Sequence, residues 1–306
     1  MRLDPELEAV VLGEAVWDGP SILDLTPEQV RAGALAVEPL EPIGETADLS
    51  APGPNGSVPI RLYRPLGRRD ATPVVFFHGG GWVLGSIEQN EDYCRHLANV
   101  TDRPVLSVEY RLAPEHKFPA GLEDSYAAVQ WIDRNRAPLG IGAIGMAVAG
   151  DSAGGNLAAS LCYLARQRGG PDIGAQILIY PVTSFSPDFD SVRTAQDGPW
   201  LTPPEMEWFA NHYLRSQADA LDPRAAPLLI EDLSGLPAAL IITAQYDPLR
   251  DCGAAYADRL RSSGVPVRYH EYPGMVHGFS GLYRQVRAAE NAFQEVAAFL
   301  DHLDVG

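Results

Sequence analysis

The sequence predicts an α/β fold: a mainly parallel sheet covered by helices on both faces. Three features predict it. Apolar runs with no polar alternation recur at 74–77, 105–108, 144–149, 175–180 and 238–242. Helix-length segments at 88–99, 121–134, 155–168 and 251–263 separate them. A strand apolar on both sides is buried on both sides, and such strands alternating with helices form a parallel sheet between helix layers. At one strand-to-helix junction, finally, stands Gly150-Asp151-Ser152-Ala153-Gly154. This G-x-S-x-G spacing marks a sharp turn that lifts a serine hydroxyl clear of the backbone, with glycines where side chains would collide.

The remaining elements follow in chain order. Residues 1–40 hold two short helices, 5–11 opened by Asp4 and Pro5, and 26–31 opened by Thr26-Pro27-Glu28. Both are too short to persist alone and need a larger body to lie on. Residues 44–64 read as a hairpin, with strands 45–49 and 58–63 around the Pro-Gly-Pro-Asn-Gly turn at 52–56. Pro59 gives its second strand an exposed or irregular start. A last strand is expected at 265–270 and a terminal helix at 282–302, with Val286, Ala289, Phe293, Val296 and Phe299 as its buried stripe. Residues 182–232 break the alternation: a loop at 183–187, a helix opened at Thr202-Pro203, then looser chain with Pro223 and Pro227. This stretch reads as an insertion. With residues 1–40 it forms a lid over the strand C-terminal ends, where open α/β sheets bind ligands, unless the two are unrelated surface decorations.

Composition narrows the function classes. The chain has 306 residues, 46% hydrophobic, enough for one large domain with an insertion. Its 23 basic and 40 acidic residues give a net charge of -17, the wrong sign for nucleic acid or for an anionic membrane surface. Lys117 is the single lysine. Cys94, Cys162 and Cys252 make no disulfide framework, and no Cys or His pair has zinc-ligand spacing, so neither metal nor cofactor is expected. The first residues lack the apolar core of a signal peptide, and no stretch reaches the roughly 20 apolar residues of a membrane span. A cytoplasmic location is the expectation.

A serine hydroxyl is a weak nucleophile until a base takes its proton and an acid orients the base. On folds of this kind the order along the chain is Ser, acid, His. Of the seven histidines, His277 alone occupies a loop after the last strand, in Pro-Gly-Met-Val-His-Gly-Phe at 273–279. It is the expected general base. Asp247, followed by Pro248 after the penultimate strand, is the expected acid; Asp251 is its rival but falls in the next helix. A tetrahedral intermediate needs fixed donors for its oxyanion. His78-Gly79-Gly80-Gly81-Trp82 follows the first buried strand, so the N–H groups of Gly80, Gly81 and Ala153 make a three-donor hole. His78 itself reads as a loop-ordering group. Phosphate binding by these glycines is disfavoured, since no Lys-Ser/Thr follows. In 110–120, Arg111 and Glu115 are placed to pair beneath the loops. Asp151 is a candidate for the mouth or the alcohol side of a substrate, and Trp82, Trp208, Phe209, Tyr213 and Phe279 are candidate pocket walls.

Four elements in this order, His78 to Trp82, Tyr110 to Glu115, Gly150 to Asn156, and Asp247-Pro248-Leu249 with His277-Gly278-Phe279, make the sequence resemble the hormone-sensitive-lipase-like family of α/β-hydrolases, bacterial carboxylesterase branch. The resemblance spans about 40–300. It implies an eight-stranded sheet, with residues 1–40 and 182–232 as a helical cap and 41–306 as the catalytic domain. It also implies that Ser152, Asp247 and His277 match the family triad, and that Gly80, Gly81 and Ala153 match its oxyanion hole. Substrates are then esters of short to medium acyl chains, cleaved without a cofactor. Amide cleavage, acyl transfer or natural-product deacetylation are the alternatives on the same site, and a non-catalytic binding protein is the alternative outside enzymes. Many members dimerise through the last strand and terminal helix. Two positions depart from the family pattern: Glu109 stands where Asp is usual, and Gln245 where an acidic residue is frequent.

Overall fold

The computed structural model describes residues 2–13, 20–33, 40–67, 71–142, 145–195 and 200–304. Parts of the expected lid segments (1, 14–19, 34–39 and 196–199), Ile144 of the apolar lead-in and the last two residues lie outside the described residues.

Among the described residues eight strands form one sheet: β1 Glu45–Gly53, β2 Gly56–Arg64, β3 Val74–Phe77, β4 Val105–Val108, β5 Ala147–Asp151, β6 Ala175–Ile179, β7 Ala238–Tyr246 and β8 Val267–Val276. Their order is β1-β2-β4-β3-β5-β6-β7-β8. The β1/β2 hairpin and the β2/β4 pair are antiparallel, and all pairs from β4 to β8 are parallel. The hairpin turns on Pro54-Asn55, tighter than expected, so both its strands are longer. The helices are α1 Pro5–Gly13, α2 Pro27–Gly33, α3 Glu91–Thr101, α4 Ala120–Arg134, α5 Arg136–Leu139, α6 Ala153–Arg168, α7 Asp190–Thr194, α8 Pro203–Tyr213, α9 Arg250–Ser262 and α10 Arg287–Asp304.

Strand alternation divides the core. Val75, Phe77, Leu106, Val148, Leu178 and Ile241 face one layer, built with α4, α6 and α9. Val74, Phe76, Val105, Ala149, Ile177 and Ile242 face the other, built with α3 and α10. The apolar runs are therefore continuous because successive side chains need oil on opposite sides. Cys94, Cys162 and Cys252 are free and buried in these layers.

Two boundaries differ from expectation. The last strand runs to Val276, six residues further, and its pairing with β7 shifts register between Ala244 and Tyr246. The glycine and proline at 273–274 mark this irregular strand end rather than a loop. The terminal helix begins at Arg287, because Phe279–Leu282 winds into a separate 3-10 turn first. All five expected stripe residues are buried, Val286 just ahead of α10 and the other four within it.

The two expected lid segments meet. A 3-10 turn at Ile22–Asp24 packs on α8. Helix α2 has the predicted start: Thr26 N–H donates to Gln29 Oε1 and Gln29 N–H to Thr26 Oγ1. Helix α8 is opened by Glu205, whose carboxylate accepts the Thr202 N–H at 2.7 Å. Its C-terminal end is held by Lys117, which donates to the carbonyls of Asn211 and Leu214, where the helix dipole favours a cation. Among the described residues no helix is long and apolar enough to cross a membrane.

Candidate active site

Strand β5 ends at Asp151, and α6 begins at Ala153. Ser152 between them has φ 53° and ψ -116°, a conformation that non-glycine residues adopt rarely and that persists only where neighbours enforce it. The neighbours do so by close approach. A Cβ on Gly154 would stand 1.9 Å from the Phe77 carbonyl oxygen, and one on Gly150 would stand 2.3 Å from the Gly154 carbonyl carbon. The motif's two glycines are thus required by contact between β3, β5 and α6.

His277 follows the last residue of β8. Its Nε2 lies 2.9 Å from Ser152 Oγ, and its Nδ1 lies 2.8 Å from Asp247 Oδ2. A carboxylate only accepts, so Nδ1 carries the proton and the Nε2 lone pair faces the serine hydroxyl. Asp247 is fully buried, with Oδ1 accepting the Leu249 N–H at 2.8 Å. The imidazole packs against Tyr180, ring centres 4.7 Å apart. Asp251 is engaged elsewhere: it accepts the Ser191 N–H and the Arg250 guanidinium. The three side chains named from the sequence therefore meet, although 125 residues separate Ser152 from His277.

The loop after β3 lies beside them. No described acceptor takes the N–H of Gly80, Gly81 or Ala153, and that of Ala153 is an orphan of the first helical turn. His78 is wholly buried and stacks on Tyr110, and burial pushes its pKa down to about 4, so the ring is neutral. It contacts Gly79 O through Nδ1 and orders the loop from beneath.

The aromatic candidates separate. Phe209 of α8 sits directly on Gly81: a Cβ there would stand 2.1 Å from the Phe209 ring. Trp208 packs beside it, half-buried, against Phe209 and His212. Trp82 and Tyr213 are not cleft walls; they are buried and stacked on one another at 4.1 Å, joining α8 to the loop. Phe279 is fully buried between Tyr180 and Tyr272, because its 3-10 turn rotates the ring into the core behind His277. The Arg111–Glu115 pair is also corrected. Arg111 donates twice to Asp124 of α4, at 2.6 and 2.8 Å, and Glu115 accepts from Arg31 of α2. Asp151 does not line the mouth through its carboxyl, which accepts the Gly79 N–H at 2.8 Å.

A family profile described as alpha/beta hydrolase fold matches residues 74–281. This chain belongs to the hormone-sensitive-lipase-like family of α/β-hydrolases. A curated relative, the carboxylic ester hydrolase LipN of Mycobacterium tuberculosis, is 41% identical over 92% of this chain and 78% of its own length. An arylesterase of Saccharolobus solfataricus is 38% identical over 94% and 95%. Among solved structures, a hyperthermophilic esterase from Pyrobaculum calidifontis superposes with a TM-score of 0.92 at 40% identity, covering 100% of both chains.

Glu109 and Gln245, which depart from the family pattern, have local uses here. Glu109 accepts the Ile87 N–H at 2.7 Å and braces the turn after the glycine loop. Gln245 accepts the Gly274 N–H at 2.8 Å and holds the strand that delivers His277. Arg31 was not singled out from the sequence. It donates to the carbonyls of Val83 and Ala113 and to both oxygens of Glu115, pinning α2 to the glycine loop and its neighbour. Only its position four residues after the helix start at Pro27 distinguishes it in the sequence. A cleft of about 380 Å³ lies between the hairpin turn and Arg111, and one of about 200 Å³ lies beside Asp247. Ser152 lines neither. The Phe209 ring lies over Gly81.

Proposed function

We propose that this chain hydrolyses carboxylic esters of short to medium acyl chains through an acyl-enzyme on Ser152. One observation carries the reading: a single imidazole bridges a buried carboxylate and a strained serine hydroxyl, at 2.8 and 2.9 Å. The serine oxygen attacks the ester carbonyl while His277 Nε2 takes its proton. Asp247 keeps the ring in the tautomer that can do so and stabilises the imidazolium. The carbonyl oxygen, now negative, is met by the N–H groups of Gly80, Gly81 and Ala153; one such donor contributes on the order of 3 kcal/mol in comparable hydrolases. The imidazolium returns its proton to the departing alkoxide, leaving the acyl ester of Ser152. Water, deprotonated by the same nitrogen, attacks that ester and releases the acid with regeneration of the serine.

The names of the relatives agree with this chemistry, since a carboxylic ester hydrolase, an arylesterase and an esterase stand among them. The test is hydrolysis of p-nitrophenyl esters from acetyl to palmitoyl by the wild type and Ser152→Ala. Turnover should peak at short or medium chains and fall by at least about 10⁴-fold in the variant. Turnover that survives the substitution would remove Ser152 from the mechanism.

A further inference from the structure

Asp151 is the acidic group next to the nucleophile, and the reaction above gives it no step. Its environment is nevertheless specific. The parallel pairing of β3 with β5 ends at Phe77 opposite Gly150. Beyond that point no backbone ladder joins the two strand ends, yet both reacting elements, the glycine loop and Ser152, lie beyond it. The Asp151 side chain takes over. Its Oδ1 accepts the Gly79 N–H at 2.8 Å, two residues past Phe77 on one side and one past Gly150 on the other. The approach is close enough that a Cβ on Gly79 would stand 2.3 Å from Oδ2.

The rest of the loop is held as firmly. The Tyr110 hydroxyl donates to His78 O at 2.8 Å. His78 Nδ1 lies 2.8 Å from Gly79 O, and Val83 and Leu84 N–H donate to Gly80 O at 3.0 and 2.8 Å. The carbonyls of three consecutive peptides are thus occupied, and Asp151 occupies the Gly79 N–H. What the loop offers to a ligand is the pair of N–H groups of Gly80 and Gly81.

We propose that Asp151 is a positioning residue: by clamping the Gly79 peptide to the turn that bears Ser152, it sets the distance between the serine oxygen and the Gly80 and Gly81 donors. The inference rests on the reading of those donors as the oxyanion hole. Its logic is geometric. A hole that is one ångström out of place forfeits much of its effect, whereas substrate binding in the ground state barely senses it. The clamp therefore belongs to kcat rather than KM.

The carboxyl also titrates in an accessible range. The residue keeps some exposure, but its carboxyl is enclosed, and burial pushes its pKa up to about 6 against the opposing Gly79 N–H and the His277 imidazole. The other titratable groups around it are Tyr93 and Cys94 of α3, Tyr110 after β4 and Tyr180 after β6. All four are raised by burial and again by the Asp151 charge, so none is ionised with it near neutrality.

The experiment compares the purified wild type with Asp151→Ala, Asp151→Asn and Ser152→Ala. The substrate is p-nitrophenyl butyrate, and the inhibitor is an alkyl trifluoromethyl ketone, whose carbonyl takes up the serine oxygen as a tetrahedral oxyanion. Asp151→Ala should lower kcat by about 30-fold with KM within about twofold, and should weaken the ketone by the same factor as kcat/KM. Asp151→Asn keeps an acceptor oxygen and should recover all but a few-fold of this loss. The wild type is expected to show an inflection in kcat near pH 6 from this carboxyl, and Asp151→Asn is expected to lack it. Wild-type kcat and ketone affinity in Asp151→Ala would overturn the inference. So would an Asp151→Asn variant as slow as Asp151→Ala, or a lowered Tm with unchanged kcat per folded molecule. A wild type without esterase activity, or an active Ser152→Ala, would instead remove the hydrolytic reading and the inference with it.

Discussion

At the scale of the residue, the site depends on groups held in conformations or charge states that folding alone would not choose. Ser152 is one, with its positive φ. Asp151 and His78 are others, and their linkages have opposite sign. The Asp151 pKa is raised in the folded state to about 6. Its protonated form is therefore the one folding favours, so stability from this group is complete below the ordinary carboxylate range and is lost as pH rises through 6. The His78 pKa is depressed to about 4. Its neutral form is favoured, so its contribution is complete above the ordinary imidazole value and is lost as pH falls toward 4. Comparing Asp151→Asn with the wild type cancels the His78 effect. The amide variant should gain stability relative to the wild type between pH 4.5 and pH 8, by on the order of 2 kcal/mol, or a few degrees in Tm. A Tm difference that stays constant across that range would mean the carboxylate is not enclosed. The same substitution is expected to slow catalysis modestly, so stability and activity are in conflict at this position.

Residues also show what the sequence could and could not reveal. Ser152, Asp247 and His277 were legible because each sits at an element boundary marked by glycine or proline, and their order along the chain is constrained. The partners of Arg111 and Glu115 were not. Proximity within 110–120 suggested that they pair with each other, but a turn in that loop presents Arg111 to Asp124 and Glu115 to Arg31, one on α4 and the other on α2. Phe279 was misread for a related reason. An aromatic after a glycine looks like a loop residue, and only the 3-10 turn decides which side it faces.

At the scale of the element, the decisive feature is the way two distant segments are fastened over the glycine loop. Helix α8 is attached by the Trp82–Tyr213 stack, by Phe118 N–H donating to Tyr213 O at 2.9 Å, and by Lys117 at its C-terminus. Helix α2, of only seven residues, has far less apolar contact and depends on Arg31. Charge-assisted bonds to carbonyls and a carboxylate contribute about 1.5–3 kcal/mol each when well enclosed, and less here because Arg31 and Glu115 remain partly exposed. Arg31→Ala should therefore free α2 without unfolding the sheet. Limited proteolysis between residues 20 and 33 should accelerate by roughly tenfold, while the global Tm moves by no more than a few degrees. Unchanged proteolysis would show that apolar packing, not the arginine, holds the helix. The strand and helix sequence of the sheet was readable from hydrophobic period. The starts of α10 and the end of β8 were not, because 3-10 turns and a shifted register interrupt the period that reveals them.

At the scale of the whole molecule, a parallel sheet gathers on one edge residues that the chain scatters over 200 positions. The glycine loop leaves β3, Ser152 leaves β5, Asp247 leaves β7 and His277 leaves β8. Because β3 and β5 are neighbours, Ser152 and the N–H groups of the glycine loop are adjacent by topology. Because β7 and β8 pair in parallel, Asp247 and His277 emerge side by side. The excess of acidic residues lies outside this arrangement and bears on solubility and association rather than on the chemistry. The most direct measurement is mass spectrometry of the protein quenched during turnover of p-nitrophenyl acetate. A single acetyl group should appear on the peptide containing Ser152, and it should be absent in Ser152→Ala. An enzyme that turns the ester over with no acyl group on that peptide, or with one on another residue, would contradict a mechanism built on the Ser152–His277–Asp247 contacts.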